Sequence, residues 1–215
     1  MKGYLNKTNL RRVILMFLAL FITGFAVALY ERAGYGTDPF TCMNMAIAAR
    51  VGLPFGTWQV ILNLVLLVFV FFFGRNLIGI ATVANMVLIG KTVDFIDSLV
   101  PVIVPESLPA RLALMISGII VVSFGTALYT RSGLGIAPYD AVWFILTHKT
   151  HWNYRLVKIL LDCVTTAVGF AFGGVIGIAT VILAFFMGPL VGWLNVHICG
   201  PLLHAEEYEE EPLMD

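Results

Sequence analysis

Residues 28–39 of this chain read ALYERAGYGTDP, and residues 127–138 read ALYTRSGLGIAP. The two stretches lie 99 positions apart and share alanine, leucine, tyrosine, arginine, two glycines and proline. A second block, IGIATV, occurs at 78–83 and again at 176–181, which is 98 positions later. Because two blocks recur at nearly the same spacing, the sequence predicts that one unit of about a hundred residues is used twice.

The composition indicates an integral membrane protein. Hydrophobic residues make up 60% of the 215 positions, charged residues make up 12%, and the mean hydropathy is +0.93. In soluble domains about a quarter of the residues are charged. At about 20 residues per span, the chain has room for about six transmembrane helices. Its 13 basic and 13 acidic residues balance, so we expect the lipid bilayer as a partner and no nucleic acid.

Apolar runs and turn residues divide the chain into segments. Six spans are predicted, at 13–30, 58–73, 78–100, 112–129, 156–172 and 175–198. The apolar runs at 40–49 and 139–147 are too short to span, which predicts re-entrant or interfacial helices. The domain division is a basic N-terminus (1–12), a first membrane repeat (13–100), a connector (101–110), a second membrane repeat (111–200) and an acidic tail (201–215).

The predicted fold class is an all-α, polytopic membrane protein with about six transmembrane helices. Three spans per repeat would insert the second repeat upside down relative to the first, which is the plan of many secondary transporters. We therefore expect two inverted three-helix repeats, each with a short re-entrant or interfacial helix. Lysine and arginine residues beside the spans favour a cytoplasmic location for both termini.

The recurring loop has features of an anion-binding site. Its glycines let the backbone approach a ligand, and the short helix that follows begins with unpaired N–H groups. An arginine adds a permanent positive charge. The candidate substrate-binding residues are Arg32, Gly34, Gly36, Pro39, Arg131, Gly133, Gly135, Pro138 and Asp140. The alternative is a tight turn whose arginine extends to lipid head groups.

Three ionisable residues, Lys91, Asp94 and Asp97, lie at i, i+3 and i+6 in the third predicted span. Ionisable groups inside a span usually face the bundle interior or a water-filled path. Lys91 and Asp94 are therefore candidates for gating or proton coupling. The alternative, favoured for Asp97, is that they form the solvated end of a long helix.

A second charged pair, Lys158 and Asp162, lies one helical turn apart in the fifth predicted span. Gln59 and Asn63 stand 99 positions earlier, so both positions are polar in both copies, which favours a shared interior face. Asp162 is a candidate for proton coupling. The alternative is a structural ion pair with Lys158.

Motifs for catalysis are absent from the sequence, which has no HExxH, nucleophile elbow, P-loop or dinucleotide fingerprint. Cys42, Cys163 and Cys199 have no CxxC spacing, and the aspartates and histidines are too scattered for a metal site. We therefore expect no enzymatic activity, no cofactor and no metal.

Residues 131–140, RSGLGIAPYD, resemble a loop of the YczE/YyaS/YitT family of bacterial integral membrane proteins. That family carries Arg-x-Gly-Leu-Gly-x-Ser/Ala-Pro-aromatic-Asp after a helix, and residues 177–189 are similar to its glycine-led final helix. The resemblance covers most of residues 13–202 and implies a location in the bacterial inner membrane. The first copy departs from the motif, because Thr41 stands where Asp140 closes the second copy.

The expected function is transport or export of a small, anionic solute, with the loop arginines and the two short helices holding it. The alternative is a membrane scaffold or regulator that acts through its acidic tail at 206–211 or its loop at 148–155. Six spans make a thin wall around a path, which is consistent with a homodimer, although the sequence does not show one.

Overall fold

The structure is a computed structural model that describes residues 7–203, and every regular element within them is helical. Its longer helices are α1 Lys7–Ala33, α2 Pro39–Val51, α3 Phe55–Phe73, α4 Ile80–Leu99, α5 Leu108–Arg131, α6 Pro138–Thr150, α7 Tyr154–Ala171 and α8 Ile178–Leu194. A 3-10 turn (Arg75–Leu77) precedes α4, and a π-helical turn (Asn195–Cys199) and the short α9 (Gly200–Leu203) follow α8. Residues 7–100 are called the first half below, and residues 101–203 the second half.

Helices α1 and α5 form the centre of the bundle and run antiparallel. Gly118 of α5 lies against Tyr30 near the end of α1, whereas Gly125, further along α5, lies against Thr23. A Cβ added to Gly118 would stand 2.9 Å from the Tyr30 Cβ. Glycine therefore lets the two backbones approach closely, as is common where membrane helices pack.

Each recurring loop is held by a helix of the other half. The Tyr35 carbonyl in the first loop accepts a hydrogen bond from the Ala179 amide at the start of α8 (3.1 Å). The Leu134 carbonyl in the second loop accepts one from the Ala81 amide at the start of α4 (2.9 Å). The last long helix of each half is thus positioned by the loop of the opposite half.

Two glycines make these loop contacts sterically possible. Gly36 and Gly135 have φ values of 85° and 112°, in the left-handed region that favours glycine. A Cβ on Gly36 would overlap the Thr180 hydroxyl, and a Cβ on Gly135 would lie 2.6 Å from the Gly79 amide nitrogen. Both positions therefore require the absence of a side chain as well as the unusual backbone angle.

The short helices α2 and α6 begin at the centre of the bundle. Proline occupies the first position of each, at Pro39 and Pro138. Phe40 in the first turn of α2 stacks on Tyr139 in the first turn of α6, with ring centroids 4.3 Å apart. Helix α2 then packs mainly on α7, and α6 packs mainly on α3. The N-terminal ends of the two short helices therefore meet, one from each half.

Each of the six predicted spans coincides with a helix, but four helices of residues 7–203 are long and apolar enough to cross a membrane. They are Leu10–Ala33, Phe55–Phe73, Leu108–Arg131 and Ile178–Cys199. Helices α4 and α7 each carry three charged side chains within 20 and 18 residues. The structure thus supports an all-helical membrane protein with four apolar spans, fewer than the six that the sequence predicts.

Candidate functional site

A cavity of about 420 Å³ lies between α1, α5 and the starts of α2 and α6. We call it the central cavity. Both halves supply polar and aromatic lining residues, including Tyr30, Asp38, Phe40, Gln59, Asn63, Tyr129, Tyr139, Asp140, Lys158 and Asp162. Its volume is within the range of about 300–1,000 Å³ that is typical of small-molecule sites.

On the first-half side of the cavity, a buried tyrosine holds a carboxylate. Tyr30 is fully buried, and its hydroxyl donates to Asp38 Oδ2 (2.8 Å). The other oxygen, Asp38 Oδ1, accepts from the Thr41 amide (3.0 Å), so Asp38 caps the N-terminus of α2. One carboxylate therefore connects the end of α1 to the start of α2.

The second half forms the same type of contact with a different position. The Tyr129 hydroxyl donates to Asp140 Oδ2 (3.0 Å) and accepts from the Ala137 amide (3.3 Å). Asp140 Oδ1 accepts from the Trp143 indole (3.3 Å). The sequence interpretation that the first copy lacks this carboxylate is therefore corrected by the structure, because Asp38 supplies it.

The charged pair of α7 also lines the cavity. Asp162 is 3% exposed; it accepts from the Tyr139 hydroxyl (2.8 Å) and from the Lys158 ammonium, its partner one turn earlier. The sequence spacing indicated the Lys158 pair, whereas the Tyr139 contact depends on how α6 packs against α7. Gln59 and Asn63 of α3 line the same cavity, as their shared polarity with Lys158 and Asp162 suggested.

The charges of this lining do not favour an anion. Three carboxylates, of Asp38, Asp140 and Asp162, and one ammonium, of Lys158, line the central cavity. Both short helices point their N-terminal ends at the cavity, but Asp38 already caps α2 and Asp140 lies in the first turn of α6. The positive ends of the two helix dipoles therefore face carboxylates of the protein itself.

The loop arginines lie outside the central cavity as the structure describes its lining. Arg32 is 8% exposed; its guanidinium pairs with Asp97 (2.9 Å) and donates to the Ala28 carbonyl (2.8 Å). Arg131 is exposed and lies near the α9 residue Gly200. Arg32 thus ties the end of α1 to the end of α4, and the anion-binding role of both arginines stays a prediction.

Among the remaining predicted binding residues, Pro39 and Asp140 line the cavity. The loop glycines do not appear in the lining within residues 7–203; instead they shape the two turns. Positive φ values occur at Gly34 (68°) and Gly133 (68°), as well as at the two glycines described above. Pro138 opens α6 beside them.

Lys91 and Asp94 connect α4 to the start of α3. Asp94 Oδ1 accepts from the Gly56 amide (3.0 Å), and the Lys91 ammonium donates to the Thr57 hydroxyl (3.0 Å). The two side chains also form an ion pair of 3.6 Å, and Lys91 is half exposed. These contacts attach α4 to the start of α3, and the gating role of the pair stays a prediction.

No group of three or more potential metal-ligating side chains occurs within residues 7–203. The three cysteines are unpaired; Cys42 and Cys199 are buried and Cys163 is exposed. The acidic tail at 206–211, one of the two segments through which the scaffold alternative would act, lies outside the described residues.

Comparison with known proteins identifies relatives over most of the chain. The chain is 28% identical over 173 residues to the uncharacterized membrane protein YczE of Bacillus subtilis, covering 80% of each chain. It is 27% identical over 187 residues to an uncharacterized protein of Haemophilus influenzae, covering 86% of this chain and 84% of the other. Identity to the uncharacterized B. subtilis protein YyaS is 24% over 195 residues, covering 86% and 90%.

The resemblance to YczE and YyaS that the second loop suggested is thereby confirmed, and the protein is a membrane protein. No solved structure matches the chain. A model of a family described as a family of unknown function, DUF6198, matches residues 10–196. Because that match takes in nearly all of the helical bundle, the chain belongs to this family of YczE- and YyaS-like membrane proteins.

Proposed function

We propose that this protein is a secondary transporter of a small solute that carries a positive charge or several hydrogen-bond donors. The observation that carries the proposal is the central cavity, which is lined by three carboxylates and one ammonium. A cationic head group would be attracted by this net negative charge, whereas an anion would be repelled. The proposal keeps the transporter role expected from the sequence and changes the charge of the solute.

Matched positions around the cavity support an inverted-repeat transporter. Tyr30 and Tyr129 both line it, as do Phe40 and Tyr139, and the members of each pair lie 99 positions apart. The helices that carry the two tyrosines run antiparallel, which supports an inverted orientation of the two units relative to each other. Transporters built in this way place the solute near the membrane midplane, between helices that are interrupted there.

The proposed membrane arrangement has six spans, with α2 and α6 as re-entrant helices that begin at the cavity. The Arg11 guanidinium donates to the Leu202 carbonyl (2.8 Å), which supports a location of both termini on the same side. Lys158 and Asp162 of α7 face the cavity, which explains why a spanning helix can carry them. We place both termini in the cytoplasm and the protein in the inner membrane of a bacterium.

In the proposed mechanism, Asp140 and Asp38 hold the solute from opposite sides, and their tyrosine partners fix the orientation of both carboxylates. Asp162 couples solute movement to protons. Its carboxylate is shared between Lys158 and Tyr139, so protonation of Asp162 would release both partners and change the charge of the cavity. A charged residue that is buried in a bundle interior commonly has such a role.

The test is transport by the full chain reconstituted in liposomes, measured as transient currents on a solid-supported membrane. We expect saturable currents with small primary amines and quaternary ammonium ions, and a tenfold or larger reduction in Asp140→Asn. Glu106→Gln is the matched control, because it removes one carboxylate from the exposed connector between α4 and α5 and should leave the currents unchanged.

Currents with small carboxylates alone would overturn the proposed charge preference and restore the anion prediction. Silence with both solute classes would favour the membrane scaffold or regulator. Equal currents from wild type and Asp140→Asn would show that the carboxylate does not contact the solute.

A further inference from the structure

A second cavity, of about 390 Å³, lies between α7 and α8. We call it the lateral groove. Small and apolar side chains dominate its lining, among them Cys163, Thr166 and Ala167 of α7 and Ala184 of α8. Phe170 and Phe185 are 70% and 53% exposed at its margin, which in a membrane protein directs this side toward lipid.

The lateral groove adjoins the central cavity at one residue. Asp162 lines both of them, so the carboxylate that Lys158 and Tyr139 share stands where the two cavities approach each other. An apolar groove that adjoins a buried charged group combines two kinds of recognition. This combination suits a ligand with a polar head and an apolar chain, because each part has a matching environment.

The corresponding helices of the first half are closed against each other. Helices α3 and α4 touch at Gly56 and Gly90, where a Cβ on Gly90 would lie 2.5 Å from both the Gly56 Cα and the Gln59 side chain. At Gly188 of α8, 98 positions after Gly90, a Cβ would meet no atom within 4 Å. The opening is therefore present between α7 and α8 and absent between α3 and α4.

Side-chain size follows the same difference. Leu64, Leu67, Val68 and Met86 of the first half stand 98 or 99 positions before four groove residues. The second half has Cys163, Thr166, Ala167 and Ala184 at these places. Each of the four is smaller than its counterpart, which leaves more space between α7 and α8 at these four places.

We propose that the lateral groove holds the apolar chain of an amphiphilic solute whose cationic head lies in the central cavity beside Asp162. This inference rests on the proposed function and narrows its solute class to single-chain alkyl amines and related amphiphiles. The Asp162 carboxylate at the inner end of the groove favours such a chain over a second copy of the protein, which would cover the outer opening without reaching that charged group.

The experiment compares ethylamine with octylamine for binding to the full chain in lipid nanodiscs, by equilibrium dialysis of the radiolabelled amines with empty nanodiscs subtracted. The groove-filling variant is Thr166→Leu with Ala184→Met, which installs the first-half residues. The control variant is Val164→Leu with Phe186→Met, at positions that are 59% and 65% exposed on the same helices. Thermal melting of both variants establishes that they fold.

We expect wild type and control to bind both amines, whereas the filled variant keeps ethylamine and loses at least tenfold in octylamine affinity. Unchanged octylamine binding in the filled variant overturns the inference. Ethylamine binding in the same experiment upholds the proposed function independently. If the wild type binds no ethylamine, the proposed function fails. Octanol binding then tests the groove alone: octanol that binds the wild type but not the filled variant supports a site for an apolar chain. If the filled variant disrupts a dimer but leaves octylamine binding intact, the groove is an interface with a second copy and the inference is overturned.

Discussion

The two sides of the central cavity share a geometry but not a charge. Each side has a buried tyrosine that donates to a carboxylate, at 2.8 Å for Tyr30 and 3.0 Å for Tyr129. The α3 side continues with the neutral amides of Gln59 and Asn63, whereas the α7 side continues with an ion pair. The shared tyrosine–carboxylate contact positions the short helices, whereas the second feature makes the α7 side of the cavity charged and the α3 side neutral. The contacts that hold the fold can therefore be tested separately from the charges proposed for transport.

The largest effect is expected from removing the carboxylate of the α7 ion pair. Asp162→Asn leaves the Lys158 ammonium without its carboxylate in a largely buried site, which should cost about 4 kcal/mol of stability and abolish transport. Chemical denaturation in detergent measures the first effect, and solid-supported-membrane currents measure the second.

The double variant Lys158→Gln with Asp162→Asn reproduces the pair found on α3 and serves as the control for stability. We expect it to regain most of the lost stability, since no unpaired charge remains, but not to regain transport. Recovery of transport in the double variant would contradict a coupling role for the ion pair.

A smaller effect is expected where the loops contact the opposite half. Gly133→Ala places a side chain at a φ of 68° with no atom within 4 Å of its Cβ, which should cost about 1 kcal/mol from backbone strain alone. Gly135→Ala adds a collision with the backbone at Gly79, so we expect about 3 kcal/mol in total. Equal losses of stability in the two variants would show that the loop contact contributes little.

The smallest difference between two paired variants is expected for the two tyrosines. Tyr30→Phe removes one hydrogen bond to a carboxylate, which should cost about 2 kcal/mol. Tyr129→Phe should cost about 1 kcal/mol more, because it also leaves the Ala137 amide without its acceptor. Thermal unfolding of both variants measures the difference, and a larger loss for Tyr30→Phe would contradict the hydrogen-bond pattern described above.

Local sequence signals predicted the helices and the two loops, but not the contacts between them. An Asp-Pro pair is a typical helix start, and Asp38 caps α2 in the structure. The same residue was missed as a partner of Tyr30, because the equivalent carboxylate on the other side comes from Asp140, at a different place in the motif. Aligning the two copies at a spacing of 99 residues cannot detect this shared carboxylate, because Asp38 and Asp140 do not occupy matching positions.

The charged residues of α1 and α4 show the same limit. Arg32 and Asp97 were each singled out, one as an anion ligand and the other as the solvated end of a helix. Their ion pair joins residues 65 positions apart in sequence, and depends on the parallel packing of α1 and α4. Spacing within one helix predicts pairs such as Lys158 with Asp162, whereas pairing between helices requires the fold.

The exchange of loop contacts between the halves bears on how the chain matures. The Tyr35 carbonyl finds its partner amide only when Ala179 has been synthesised and inserted. The first recurring loop therefore lacks this hydrogen bond until most of the second half has been made. The loop that is synthesised first thus reaches its final hydrogen bonding only with the helix that is synthesised last.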